Sequence, residues 1–221
     1  MAQEKLTRET VVEQALALAD QEGVDAVTIR RLASLLAVTP MALYWHFKNK
    51  EELMAALAEH VLSGVTADVS PGDPWQRRLR VIVEAVVRAM RDNPCVPDLL
   101  GAVKDKHELE SFNRATEATL DVLAEAGFTS REAFAVSSYL LNGVTALVKG
   151  CPLWTGEPRE AEERRLRRLK LESMPGDRYP RMIQYGGTLS EPPDIDGYYG
   201  FGVDLLLRGV EAMAARRPGP A

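Results

Sequence analysis

The stretch Thr28–Lys50, TIRRLASLLAVTPMALYWHFKNK, decides how this chain is read. Thr28 and Thr39 both stand where a side-chain oxygen accepts from the first free amides of a helix, and Pro40 behind Thr39 is pre-set for a first helical turn. Ile29, Leu32, Ala33 and Leu36 follow at helical spacing, so the stretch reads as two short helices joined by a turn of about three residues. In this helix-turn-helix arrangement the second helix enters a major groove while the first crosses the backbone. The charges point the same way. Arg30, Arg31, Lys48 and Lys50 lie within the stretch and no acidic residue does, whereas its flanks up to residue 65 carry Glu4, Glu9, Glu13, Asp20, Glu22, Asp25, Glu51, Glu52 and Glu59. An acidic segment cleared of carboxylates over one stretch is suited to lie against phosphates.

Outward from this block the chain is helical throughout, with no alternating strand pattern and no internal repeat, and the expected fold class is all-α. A first helix starts at the cap Thr7, carries Val11, Ala15, Leu16, Leu18 and Ala19 on one stripe and ends at Gly23. Asn49 with Glu52 opens a fourth, bearing Leu53, Leu57 and Val61. The pattern breaks over Ser63 to Pro74, which places a boundary near residues 66–74 between a helix-turn-helix domain, 1–66, and a larger helical domain, 75–217. Further apolar helices are expected over Trp75 to Arg91, His107 to Ala126 (closed by Gly127) and Ser130 to Lys149 (capped by Ser130). The charge-crowded run from Gly156 to Ser173 reads as a solvated helix, and Met174 to Gly197, rich in Pro and Gly, as a long loop. A last helix capped by Asp196 carries Tyr198, Phe201, Leu205, Leu206, Val210 and Met213, more apolar surface than a lone terminal helix needs, which suits packing against a partner.

Bulk properties narrow the function. With 221 residues, 46% of them hydrophobic, the chain has material for a sizeable core. A net charge of -5 excludes a blanket polycation, so any nucleic-acid site is compact. Cys95 and Cys151 are too few for a disulfide framework and lack zinc-site spacing. The longest uncharged stretch, Ala133 to Val148, is 16 residues and contains Ser137, Ser138, Asn142 and Gly143, too short and polar for a membrane span. No secretory signal opens the chain, and a cytoplasmic location is expected. The competing class, an enzyme, needs a nucleophile, an acid-base pair or a metal cluster. His46, His60 and His107 lack ligand spacing, and no glycine-rich phosphate loop or G-x-S-x-G elbow occurs. Neither a metal nor a cofactor is expected.

The block resembles the TetR family of bacterial transcriptional regulators, and LYWHFKNKEEL, Leu43–Leu53, is especially similar to its tetracycline repressor branch. GDPWQRRLR, Gly72–Arg80, and FGVDLLLRGVE, Phe201–Glu211, resemble the same branch. The resemblance implies that Thr28 and Arg30 contact phosphate and a base edge, that Pro40, Met41 and Ala42 read bases, and that Tyr44 and His46 face backbone phosphates. Lys50, at the positive end of the fourth helix, and Lys48 are implied as phosphate contacts. Arg30 could instead form a surface ion pair, Lys48 be merely solvated and His46 be an ordinary surface histidine; Trp45 fits either the core or the interface, and Leu43 and Phe47 suit the core. The branch has Gln and Thr where this chain has Pro40 and Ala42, so a shared operator is not expected.

The same resemblance implies a repressor that binds double-stranded operator DNA as a homodimer, through Ser130–Lys149 and Gly197–Arg216, and releases it on binding a small-molecule effector. One short recognition helix reads only a few base pairs, so two half-sites are needed. Ile82 and Val86 stand where the branch carries an asparagine and a phenylalanine against the drug, and Pro97 about where it carries a magnesium-binding histidine. These residues offer no hard donors for a chelated Mg²⁺. An apolar effector is expected instead, in a cleft walled by Val86, Met90, Phe112, Tyr139 and Leu140 with Asn142 as an orienting polar group, although any wall residue can equally be core. A DNA-organising protein without a ligand is the other alternative, and nearly 150 further residues speak against it.

Overall fold

Four local caps set the N-terminal helices. A computed structural model describes residues 6–65, 70, 72–151 and 158–216. The Thr7, Thr28 and Thr39 hydroxyls and the Asn49 side-chain carbonyl accept the amides of Thr10, Arg31, Ala42 and Glu52, three residues on in each case. These interactions open α1 (Arg8–Glu22), α2 (Ile29–Leu35), α3 (Pro40–Tyr44) and α4 (Lys50–Ser63). Eleven α-helices and no strand occur among the described residues, the all-α architecture expected. The inward faces of the first four meet in one small core, in which Val11, Val27, Leu32, Leu43, Phe47, Leu53 and Leu57 are fully buried.

The chain groups into two compact units, residues 1–149 with 203–221, and residues 150–202. The first holds α1–α4 together with α5 (Trp75–Asp92), α6 (Val96–Ala102), α7 (Glu110–Glu125), α8 (Ser130–Lys149) and most of α11 (Ile195–Ala214). Helices α5, α7 and α8 pack on one another, and α4 packs on α6 and α7. Gly143 on α8 leaves a notch for Leu206: a Cβ there would stand 2.6 Å from that side chain. Arg80 of α5 ties to Asp204 of α11 at 2.7 Å. The second unit is a hairpin of α9 (Pro158–Glu172) and α10 (Pro180–Thr188) with the first turns of α11. The two hairpin helices cross closely at Gly186, where a Cβ would come within 2.9 Å of Leu171 Cβ.

Several sequence expectations are corrected. The expected loop from Met174 to Gly197 contains α10, because Pro180 occupies a first-turn position where its missing amide costs nothing and Gly186 serves a close crossing instead of a break. The short α6, opened by Asn93–Cys95, was not anticipated. The helix expected from His107 starts at Glu110, after a 3₁₀ turn over Lys106–Glu108. Ser130 lies inside α8; Thr129 precedes it and both its amide and its hydroxyl donate to Glu132, at 2.9 and 2.6 Å. The last helix starts at Ile195, and Asp194, not Asp196, accepts the Gly197 amide at 2.8 Å. The boundary expected near 66–74 falls largely on residues outside those described, as do Gly156 and the end of the expected second domain at 217.

Candidate nucleic-acid interface and ligand cavity

The turn between α2 and α3 is a Schellman motif: the Val38 amide donates to the Ala33 carbonyl at 2.9 Å and the Ala37 amide to Ser34 at 3.3 Å. Its left-handed position, with φ of 52°, is held by Ala37, where glycine would be the unstrained residue. This turn aims α3. Leu43 and Phe47 enter the core, as expected, and leave Met41, Tyr44 and Trp45 outside, at 66%, 49% and 85% exposure. Trp45, given either role from sequence, is thus an outward residue. Of the nine residues read as DNA contacts, Thr28, Arg30, Pro40, Met41, Tyr44, Lys48 and Lys50 are exposed, Ala42 and His46 are half-buried, and none is in the core. Arg31 pairs with Glu22 at 2.8 Å, while Arg30 forms no ion pair among the described residues. The Thr28 oxygen is occupied as a cap acceptor, and its proton remains available to an outside acceptor.

A clamp that sequence reasoning missed fixes this surface. The Arg8 guanidinium donates to the His46 carbonyl at 2.8 Å and to Glu52 at 3.1 Å, and lies 4.5 Å over the Phe47 ring. The other Glu52 oxygen accepts the Lys48 amide at 2.9 Å. That amide, then Arg8, holds the Glu52 carboxyl below the usual carboxylate range. The end of α3 and the start of α4 are thereby tied to α1. Only Glu52 carried a signal in the sequence, as the partner of Asn49; Arg8 carried none.

Three contacts join this head to the helices behind it. The Glu59 carboxylate of α4 accepts the Ser111 amide at 3.2 Å and its hydroxyl at 2.6 Å, capping α7 from outside in place of Leu109, which has no capping side chain. Asp20 of α1 accepts the Cys95 amide at the start of α6, at 2.9 Å. Lys104, just beyond α6, reaches Glu51 at 3.5 Å. Burial pushes the Cys95 thiol up to about 12, so it is a packed group and not a nucleophile.

Between α5, α7 and α8 lies an apolar cavity of about 130 Å³. Of the residues read as cleft walls, Val86, Met90, Phe112 and Leu140 line it, together with Ile82 and Leu62 of α4. Tyr139 does not: it is 74% exposed and lines a separate groove between α8 and α11 with Val136, Leu206, Val210 and Met213. Asn142 is also exposed and outside the cavity. The polar groups that do face it are Thr116, Thr119, Ser137, Ser138 and His107. Thr119 and Ser138 donate to carbonyls of their own helices at 2.8 and 2.9 Å, which leaves their oxygens as acceptors. No group of three metal-ligating side chains occurs among the described residues, and no described helix is long and apolar enough to cross a membrane.

Residues 11–57 match the family described as bacterial regulatory proteins, tetR family, and residues 70–214 match the tetracyclin repressor-like C-terminal domain. The class C tetracycline repressor protein of Escherichia coli is 30% identical over 219 residues, covering 95% of this chain and 92% of that one. The class D repressor of the same organism is 28% identical, covering 95% and 91%. Among solved structures, a possible TetR family transcriptional regulator of Streptomyces coelicolor superposes with a TM-score of 0.75 at 26% identity, over 94% of this chain and all of that one. Apo ActR of Streptomyces coelicolor, at 24% identity, shares the fold with a TM-score of 0.76 over 98% and 99% of the two chains. With matches that run from the helix-turn-helix through the helices around the cavity, this chain belongs to the tetR family of bacterial regulatory proteins, in its tetracycline repressor-like branch, and is a DNA-binding transcriptional regulator and not an enzyme.

Proposed function

We propose that the protein is a cytoplasmic repressor that binds an inverted-repeat operator as a homodimer and is released by a small apolar effector. One observation carries the reading: α4 begins at Lys50, its first turn is tied to the end of α3 through Glu52 and Arg8, and it contributes Leu62 to the cavity wall. Its 14 residues span about 20 Å, so a ligand that displaces Leu62 moves the base of the reading head. In functional terms residues 1–66 are the reading head and 75–217 the effector-binding and dimerising part. The exposed groove of α8 and α11 supports the dimer, because two heads held one helical turn or more apart are needed for affinity. Effector binding changes their separation and shifts the population toward a form that does not fit the operator.

The lining supports an apolar ligand. Ile82 and Val86 present hydrocarbon to the cavity, and its hydroxyls are suited to orient one or two polar groups of a bound molecule. In this conformation the volume suits about one aromatic ring, since an engineered cavity of roughly 150 Å³ takes benzene; a larger effector has to spread α5, α7 and α8. Tetracycline repressors are relatives by name, and one solved neighbour, ActR, is in complex with actinorhodin. A magnesium chelate is not proposed here, because no carboxylate stands in the cavity lining to hold the ion.

The test is operator binding by the full chain at several salt concentrations, on a duplex selected from a random library. The expected result is a slope of roughly -0.9 for each phosphate neutralised, with release by an apolar ligand found in a thermal-shift screen. A flat salt response, or tight magnesium-dependent tetracycline binding that releases DNA, would overturn the reading in its first or second part.

A further inference from the structure

We propose that the first turn of α3 reads thymine methyl groups: in each half-site Met41 and Ala42 cover the C5-methyl groups of T·A pairs, and their side chains make no hydrogen bond to a base. The inference rests on the DNA-binding reading above and specifies the partner at that surface.

The residues of this turn are the exposed Pro40 and Met41 and the half-buried Ala42, whose side chains carry no N–H or O–H. Pro40 lacks an amide as well, and the Ala42 amide is taken by Thr39, at 3.0 Å from its carbonyl and 3.3 Å from its hydroxyl. In the major groove the thymine methyl is the one apolar group that projects from the base edges, among the donors and acceptors that each base pair presents. Hydrocarbon laid over such an edge strands the polar group away from water, whereas laid over a methyl it buries apolar surface on both sides. Met41 is 66% exposed and Trp45 85%, an apolar ridge left open by the described residues. The charges favour a polyanion as occupant: Arg30, Lys48 and Lys50 are exposed, the sequence from residue 28 to 50 carries no carboxylate, and the nearby Glu22 and Glu52 are taken up by Arg31 and by Arg8 with the Lys48 amide. An apolar ridge in a cationic stretch matches a duplex presenting methyl groups between two rows of phosphates.

Duplexes that bind the full-length protein are first selected from a random library. Each thymine of the recovered half-sites is then replaced by deoxyuridine, which removes the methyl and keeps every pairing group. At one or more positions binding is expected to weaken about fourfold per methyl removed, and on the order of tenfold when both half-sites lose one. Met41→Ala, at an exposed position, is expected to leave circular dichroism unchanged, to weaken binding to the thymine operator and to lose the preference for thymine over deoxyuridine at the position Met41 covers, while the preference at the position Ala42 covers remains. Indifference to deoxyuridine at every position, with the salt dependence kept, overturns this inference alone. A Met41→Ala variant that retains the full preference for thymine overturns the assignment to Met41. Recovery of no duplex overturns the DNA-binding reading and this inference with it.

Discussion

At the scale of single residues, the reading surface separates groups that touch the partner from groups that hold the surface in shape. Tyr44 and Lys50 project outward from a core built on Leu32, Leu43 and Phe47, so Tyr44→Ala and Lys50→Ala should leave circular dichroism unchanged. Each should weaken operator binding by on the order of 1 to 3 kcal/mol per half-site; unchanged affinity in both would place the DNA on another face. Ala37 holds a left-handed conformation that costs an alanine roughly 1 kcal/mol. Glycine there relieves that strain and loses about as much to chain entropy, so urea unfolding should find Ala37→Gly near neutral and Ala37→Val destabilised by about 1 kcal/mol or more. Glu52 is held below its unfolded pKa by the Lys48 amide and Arg8. Its contribution is therefore present above the unfolded carboxylate range and is lost as pH falls through the folded value. Glu52→Gln should be less stable than the parent by about 1 kcal/mol at neutral pH, and the two should converge in acid, below that folded value; a gap that persists there would show that charge is not the cause.

Among the elements, α4 does two jobs. Its first turn is tied to the end of α3 through Glu52 and Arg8, and its Glu59 supplies the cap that the start of α7 lacks. Glu59→Ala leaves the buried Ser111 amide without its acceptor and should cost about 1 to 2 kcal/mol in denaturant unfolding. Glu59→Gln, which keeps one acceptor oxygen, should recover part of the loss. Equal stability of both variants and the parent would mean that another group caps α7. Since α7 also lines the cavity through Phe112, Thr116 and Thr119, this cap mechanically joins the cavity wall to the helix that carries Lys50.

For the whole molecule, α8 has two working faces. Val136 and Leu140 are buried, Ser137 and Ser138 look into the cavity, and Tyr139 stands outside in the groove shared with α11. Tyr139 and Leu205 are 74% and 66% exposed, so charging them does not disturb the core of the subunit. The double variant Tyr139→Glu, Leu205→Glu should sediment as a helical monomer at micromolar concentration and lose most of its operator affinity, because a single head reads too few base pairs. A dimer that survives both substitutions would place the interface elsewhere.

The sequence by itself determined what depends on residues within about four of one another. The caps at Thr7, Thr28, Thr39 and Asn49, the proline at the start of α3 and the inward pair Leu43 and Phe47 are local, and all are legible in the sequence. The helix-turn-helix followed from them. Tertiary structure decided what depends on distant partners. Arg8 meets His46 and Glu52 across 38 and 44 positions, and Glu59 meets Ser111 across 52. The inward face of α8 was also hidden, because a helix carrying Phe134, Val136, Tyr139, Leu140, Leu141 and Val144 is apolar on several sides and its periodicity does not say which side meets a neighbour. That is why Tyr139 and Asn142 were expected at the cavity, where Ser137 and Ser138 stand instead. Spacing along a chain encodes which residues share a face, but which face is covered is set by the helices that pack against it.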